Sequence, residues 1–129
     1  MTSGKQKGLE RLADQRGVIA ALAIDQRTAL RKLFAAASGW SAEGVPTEWL
    51  VEFNEKVSKI LTPHASAFLL DPEYGLPAAR VRDAAAGLLL AYEVSGYDKA
   101  VPGRLPRTLE GKSAASLKAD GADALKVCI

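Results

Sequence analysis

The stretch Val18-Ile-Ala-Ala-Leu-Ala-Ile-Asp-Gln-Arg-Thr28 sets seven consecutive apolar residues between Gly17 and Asp25. A run that short, bounded by a helix-ending glycine and a charge, predicts a strand buried on both faces, as parallel sheets require. The turn that follows, Asp25-Gln-Arg-Thr28, contains no glycine. A phosphate therefore cannot approach its backbone as it does at the first turn of a dinucleotide-binding sheet, and no Walker-type loop occurs elsewhere.

The flanking segments alternate with further strands. Upstream, Lys5 to Arg16 predicts a helix with Leu9, Leu12 and Ala13 on one face, ended by Gly17. Downstream, Thr28 to Ala37 predicts a helix with Leu30, Leu33 and Phe34 inward and Arg31 and Lys32 outward, broken by Ser38 to Pro46. Thr47 is the expected N-cap of the next helix, with Glu48 in its first turn to complement the dipole. Leu50, Val51, Val57, Ile60 and Leu61 form its apolar stripe, and it ends before Pro63. Ser66 to Leu70 is a second buried strand, terminated by Asp71-Pro-Glu-Tyr-Gly75. Pro77 opens a helix to about Ala86, stopped by Gly87, and Leu88 to Tyr92 is a third strand ended by Glu93. A long connection from Val94 to Lys112 leads to a short helix capped by Ser113 and ending at Gly121, and Asp123 to Ile129 is a fourth strand.

Strands alternating with helices require a parallel sheet with right-handed crossovers. An open doubly wound sheet and part of an eight-stranded barrel both satisfy that pattern. The charges favour the barrel, whose active sites are built from side chains at the carboxyl ends of several strands. Asp25, Asp71, Glu73 and Glu93 all fall at or just past strand ends. In an alternating fourth strand Leu125, Val127 and Ile129 face the helices, whereas Ala124, Lys126 and Cys128 face the interior. An interior ammonium is costly to desolvate without a carboxylate partner, and Asp25 is the natural one. The fold class is therefore α/β of the (β/α)8 TIM-barrel type. A full barrel takes about 250 residues, so the 129 residues here hold about four strand–helix units and read as the N-terminal half of a single domain.

Composition narrows the function classes. The chain is 48% hydrophobic and 25% charged with a net charge of +2, which excludes disordered and low-complexity classes. Two excess basic residues, unclustered, make no nucleic-acid footprint, and no apolar run approaches a membrane span. The single cysteine forms no internal disulfide, and no basic-then-apolar leader opens the chain, so the expected compartment is the cytoplasm.

Four segments, Ala21-Leu-Ala-Ile-Asp-Gln-Arg27, Leu69-Leu-Asp-Pro-Glu-Tyr-Gly-Leu-Pro77, Gly87-Leu-Leu-Leu-Ala-Tyr-Glu93 and Gly121-Ala-Asp-Ala-Leu-Lys126, together resemble the tagatose 1,6-bisphosphate aldolase family over essentially the whole chain. A related sulfofructose 1-phosphate aldolase group shares the Asp-Gln-Arg segment and the lysine, but the second and third segments look more like the tagatose group. The resemblance implies a class I aldolase without metal or other cofactor, in which a lysine amine attacks a ketose bisphosphate to form a Schiff base. It implies dihydroxyacetone phosphate and glyceraldehyde 3-phosphate as products. By position Asp25 and Lys126 match catalytic residues, Lys126 lying beside the Schiff-base site. Gln26, Arg27, Asp71, Glu73 and Glu93 are expected to bind substrate. The family's Schiff-base lysine lies on the sixth strand and its acid–base glutamate on the fifth, so neither is expected in this chain.

Other residues are expected to be structural. His64 has no nucleophile or metal partner, Cys128 packs in a strand as a small hydrophobe, and Trp40 and Trp49 pack as core or lid. Arg80, Arg82, Arg104 and Arg107 solvate helix and loop surfaces rather than steer a bisphosphate. Four parallel strands alone expose two edges and an apolar face. The isolated chain is therefore expected to be poorly soluble, to self-associate, or to need the missing half-barrel, and the competing reading is a half-barrel without aldolase activity.

Overall fold

The computed structural model describes residues 1–94, 103 and 105–128, so Arg104 and Ile129 lie outside the described residues. Strands β1 (Ala21–Ile24), β2 (Ala67–Leu70), β3 (Gly87–Ala91) and β4 (Ala124–Lys126) form one parallel sheet in the order β1-β2-β3-β4. A doubly wound sheet reverses direction beside its first strand. Sequential order without reversal is that of the first strand–helix units of a TIM barrel, and this is the fold class of the chain.

Helix α1 (Ser3–Leu12) precedes the sheet; α2 (Arg27–Ser38) and α3 (Thr47–Leu61) join β1 to β2, with a 3-10 turn at Thr62–His64. Helix α4 (Leu76–Val81) joins β2 to β3, and α5 (Ala114–Ala119) precedes β4. None of the described helices is long and apolar enough to cross a membrane.

The register explains the core. It aligns Leu22 with Phe68 and Leu88, and Ile24 with Leu70, Leu90 and Leu125, so alternate residues form rows on one face. These rows pack with Ala78 and Ala79 of α4 and Leu117 of α5. Phe68, Leu70, Leu88, Leu90 and Leu117 are fully buried. Each contributes about 1.5–3 kcal/mol, so this layer carries the fold. The opposite face carries Ala21 and Ala23 of β1, Ala124 of β4 and, on the two central strands, Ala67, Leu69, Leu89 and Ala91.

Several boundaries differ from expectation. Helix α1 ends at Leu12 rather than Arg16. The Asp14 carboxylate accepts the backbone N–H groups of Arg16 and Val18, folding a turn in which Gly17 takes φ +77°. Strand β1 begins at Ala21 and alternates exposed and half-buried because it is an edge strand; Val18 and Ile19 are exposed. Pro46, not Thr47, is the N-cap of α3, and Thr47 Oγ1 instead accepts from Arg31. The buried stripe of α3 is Leu50, Asn54 and Ser58, continued by Thr62, while Ile60 and Leu61 are exposed. That polar stripe is used: the Ser58 hydroxyl donates to the Ala78 carbonyl, and Thr62 Oγ1 accepts from the Asp83 N–H.

Helix α4 ends at Val81, short of Ala86, and Gly87 begins β3 instead of stopping the helix. A Cβ at Gly87 would meet the Arg11 carbonyl oxygen and a methyl of Leu12, so the glycine lets α1 seat against the base of the sheet. The Arg11 guanidinium donates to the Ala84 and Ala85 carbonyls at the same end. Strand β4 ends at Lys126, and Leu125 does join the helix-facing core while Val127 is exposed. Ser113 caps α5 as expected, with a reciprocal bond from its N–H to Ser116 Oγ.

Candidate active site

Asp25, Glu93 and Lys126 converge at the carboxyl end of the sheet, on the face opposite α4 and α5. Asp25 follows β1, Glu93 follows β3 by two residues, and Lys126 is the last residue of β4. Lys126 Nζ donates to Asp25 Oδ2 at 3.0 Å and to Glu93 Oε1 at 2.5 Å. The lysine side chain is 33% exposed, against 14% for Asp25 and 9% for Glu93. Burial disfavours the ammonium, but the hydrogen bonds it donates to Glu93 and Asp25 outweigh it and hold the Lys126 pKa above the ordinary lysine value. Lys126 is therefore a fixed cation at neutral pH. A protonated amine has no lone pair with which to attack a ketone.

Local structure holds each carboxylate. The Arg27 N–H donates to the Asp25 carbonyl and tightens the turn out of β1. Beyond β3 the chain returns to pair Glu93 with Thr108, with Val94 N–H donating to the Arg107 carbonyl and Leu109 N–H to that of Tyr92. Tyr92 N–H donates to the Lys126 carbonyl, fixing β4 beside it. Glu93 Oε2 is buried with no partner among the described residues, so the carboxylate keeps an acceptor oxygen at the site.

The other candidates fall differently. Gln26 is exposed at the start of α2, and its side chain makes no capping bond. Arg27 is turned into the protein, only 8% exposed, with Nη2 donating to the Glu93 carbonyl at 2.9 Å and Nη1 3.6 Å from Glu73 Oε2. Glu73 is half exposed beside it. Asp71 is 2% exposed and its Oδ1 accepts the N–H groups of Glu73 and Tyr74, each at 2.8 Å. Oδ1 of Asp71 is thus committed to the turn after β2, which ties one of the two oxygens expected to bind substrate to the backbone. Burial pushes its carboxyl pKa up, against the lowering effect of those bonds.

Residues 19–129 match the DeoC/LacD family aldolase pattern. The chain belongs to that family. Among curated relatives, tagatose 1,6-diphosphate aldolase 2 of Enterococcus faecalis is 56% identical over 127 residues, 98% of this chain and 37% of the relative. A tagatose 1,6-diphosphate aldolase of Listeria monocytogenes serotype 4a is 46% identical over the whole chain, again 37% of the relative. One of Streptococcus agalactiae serotype V is 48% identical over 126 residues, 98% of this chain and 38% of the relative. This DeoC/LacD-family chain thus spans a little over a third of the length of the curated relatives it matches.

In this DeoC/LacD-family chain, sequence reasoning missed Arg31, which it placed outward. The guanidinium donates to the Val45 carbonyl and Thr47 Oγ1 and lies 5.7 Å from the centre of the Tyr74 ring. Its spacing of four from Arg27 puts both arginines on one helical face, a signal available beforehand. Leu33, expected inward, is 67% exposed. Trp40 and Trp49 are not core residues: they stack on each other 5.1 Å apart at the surface. Arg80 and Arg82 lie at the end of α4 that points away from the site, and Arg82 donates to the Ala79 and Ala86 carbonyls. Arg107 and His64 are exposed, and Cys128 is half-buried.

Proposed function

We propose that this chain supplies the first four strand–helix units, the N-terminal part of a single barrel domain, of a class I ketose-bisphosphate aldolase. The proposed substrate is tagatose 1,6-bisphosphate, cleaved to dihydroxyacetone phosphate and glyceraldehyde 3-phosphate in the cytoplasm, without a metal. The observation that carries the reading is the Lys126 ammonium held by Asp25 and Glu93 at the carboxyl edge of the sheet.

In this reading a lysine beyond the present chain forms the Schiff base with the substrate ketone. Cleavage then removes a hydroxyl proton, breaks the carbon–carbon bond and sends its electron pair to the iminium nitrogen. Asp25 and Lys126 are the catalytic residues contributed here. Asp25 orients the carbinolamine hydroxyl, and Lys126 disfavours protonation of the nucleophilic amine and stabilises oxygen charge as it develops. Gln26 and the free oxygen of Glu93 face substrate hydroxyls, and Glu73, half exposed beside Arg27, lies at the rim.

The partner implied is the remainder of the barrel, which would cover the open edge of β1. The exposed Trp40–Trp49 stack and the exposed Leu33, Phe53 and Ile60 favour a second reading, in which copies of the chain associate through this surface without aldolase activity.

A chimera separates the two. The chain is grafted in place of the matching 127 residues of the Enterococcus faecalis relative, and the product is treated with tagatose 1,6-bisphosphate and borohydride. Turnover, with the trapped adduct mapping to a lysine outside the graft, is the expected result. An adduct on Lys126, or an inactive but folded chimera, overturns the reading.

A further inference from the structure

We propose that Arg27 is a positioning residue that clamps the main chain at Glu93 and so sets the ion pair between Glu93 and Lys126, rather than gripping substrate phosphate. The inference rests on the aldolase reading above and extends it to a residue whose role that reading leaves open.

Arg27 spans three strand ends through its backbone and its side chain. Its backbone N–H closes the turn after β1 by donating to the Asp25 carbonyl at 3.1 Å. Nη2 crosses to β3, donating to the Glu93 carbonyl at 2.9 Å over a separation of 66 residues. Nη1 lies 3.6 Å from Glu73 Oε2 in the turn after β2. At 8% exposure the side chain offers little surface to a ligand, and both terminal nitrogens face protein oxygens, while Nε is buried without a partner among the described residues.

The consequence for the site follows from where the bond is made. Arg27 holds the carbonyl of the residue whose carboxylate meets Lys126. Without the donor, that buried carbonyl loses its partner, the backbone at Glu93 relaxes, and Glu93 Oε1 withdraws from Nζ. Asp25 alone then faces the ammonium from β1, with Glu73 and Glu93 facing the space that Arg27 filled. A small backbone displacement of this kind is costly in catalysis because a preorganised charge loses its aim.

The test uses the chimera described above, carrying Arg27→Met and, separately, Arg27→Lys. In Arg27→Met, kcat is expected to fall 10- to 100-fold while KM for tagatose 1,6-bisphosphate stays within threefold. The alkaline limb of its pH profile should move to lower pH, because Lys126 has lost a counterion. Arg27→Lys, which retains one donor toward the Glu93 carbonyl, should recover kcat to within tenfold of the parent. A KM raised more than tenfold at unchanged kcat would assign Arg27 to the phosphate and overturn the proposal. Unchanged kcat and pH profile would overturn it as well. If neither variant keeps the parent's circular dichroism and elution volume, Arg27 holds the fold as a whole and the proposal fails. An inactive parent chimera is a failure of the functional reading itself, recognised before any variant is made.

Discussion

Replacing Lys126 with methionine keeps a side chain of similar length but removes the ammonium that Asp25 and Glu93 share. At 3.0 Å from Asp25 and an effective dielectric near 20, the gross attraction is about 5 kcal/mol per carboxylate. Desolvation cancels most of that, and removing one partner of a buried pair typically costs about 3–5 kcal/mol. Because Lys126 is 33% exposed, solvent screening lowers the expectation to about 2–4 kcal/mol. In the chimera the variant should unfold at lower urea concentration, lose activity by about 100-fold or more, and still form the borohydride-trapped adduct. The pH dependence has a defined sign. A lysine whose folded pKa is raised contributes its full stability below the ordinary value of 10.5 and loses it as pH rises through the higher folded value. The gap between parent and variant should therefore be constant from pH 7 to about 10 and close only above that. Activity within threefold of the parent, with a stability change below about 0.5 kcal/mol, would refute the claim that these three groups form one paired site. So would a gap that closes between pH 8 and 9.

Asp71→Asn should keep chimera activity within threefold and stability within about 1 kcal/mol, since an amide oxygen can accept the same two N–H groups, whereas Asp71→Ala should cost about 1–3 kcal/mol; loss of activity in Asp71→Asn would restore it to the substrate site. Gly87→Ala drives a Cβ into the Arg11 carbonyl oxygen and should lower the unfolding free energy by about 1–3 kcal/mol; an unchanged urea midpoint would show that α1 does not seat there. Expressed alone, the chain should elute from a sizing column as oligomers or aggregates through its open strand edge and exposed aromatics, and a monodisperse monomer would count against that surface being sticky.

How much of this was legible in the sequence depends on what each residue type signals by itself. The four strands were readable because short apolar runs between glycines and acids have few other uses, and Lys126 was readable because a lysine inside such a run demands a partner. Asp25 was named as that partner; Glu93 was seen at a strand end but not paired, because a turn acid and a counterion look alike in one dimension. Asp71 shows the converse, a strand-end acid whose oxygen is consumed by its own turn. The burial of Asn54, Ser58 and Thr62 was invisible because a hydrophobicity pattern scores them as solvent-facing, while the hydroxyls of Ser58 and Thr62 are satisfied by carbonyl and N–H groups that only the packed helices supply. Helix ends were misplaced where a carboxylate or a close backbone contact, at Asp14 and Gly87, decided the boundary.

The distance between Lys126 and Asp25 also carries information about shape. The two residues are 101 positions apart in sequence, and they stand on the first and last strands of a four-stranded sheet. Three strand spacings separate such edges by about 14 Å in a flat sheet, where side chains stand perpendicular to the surface. Side chains so directed cannot close to hydrogen-bonding distance. Their 3.0 Å contact requires a sheet curled concave on the face opposite α4 and α5, with β1 and β4 tilted toward a common axis. The two edge strands turn inward on small side chains, Ala21 and Ala23 of β1 and Ala124 of β4, around Leu69 and Leu89 of the central strands. Barrel curvature and the active-site ion pair are thus two consequences of one geometry, the inward turn of both edge strands. A bulky residue at Ala23 or Ala91 should therefore weaken the Lys126 contacts without touching them directly.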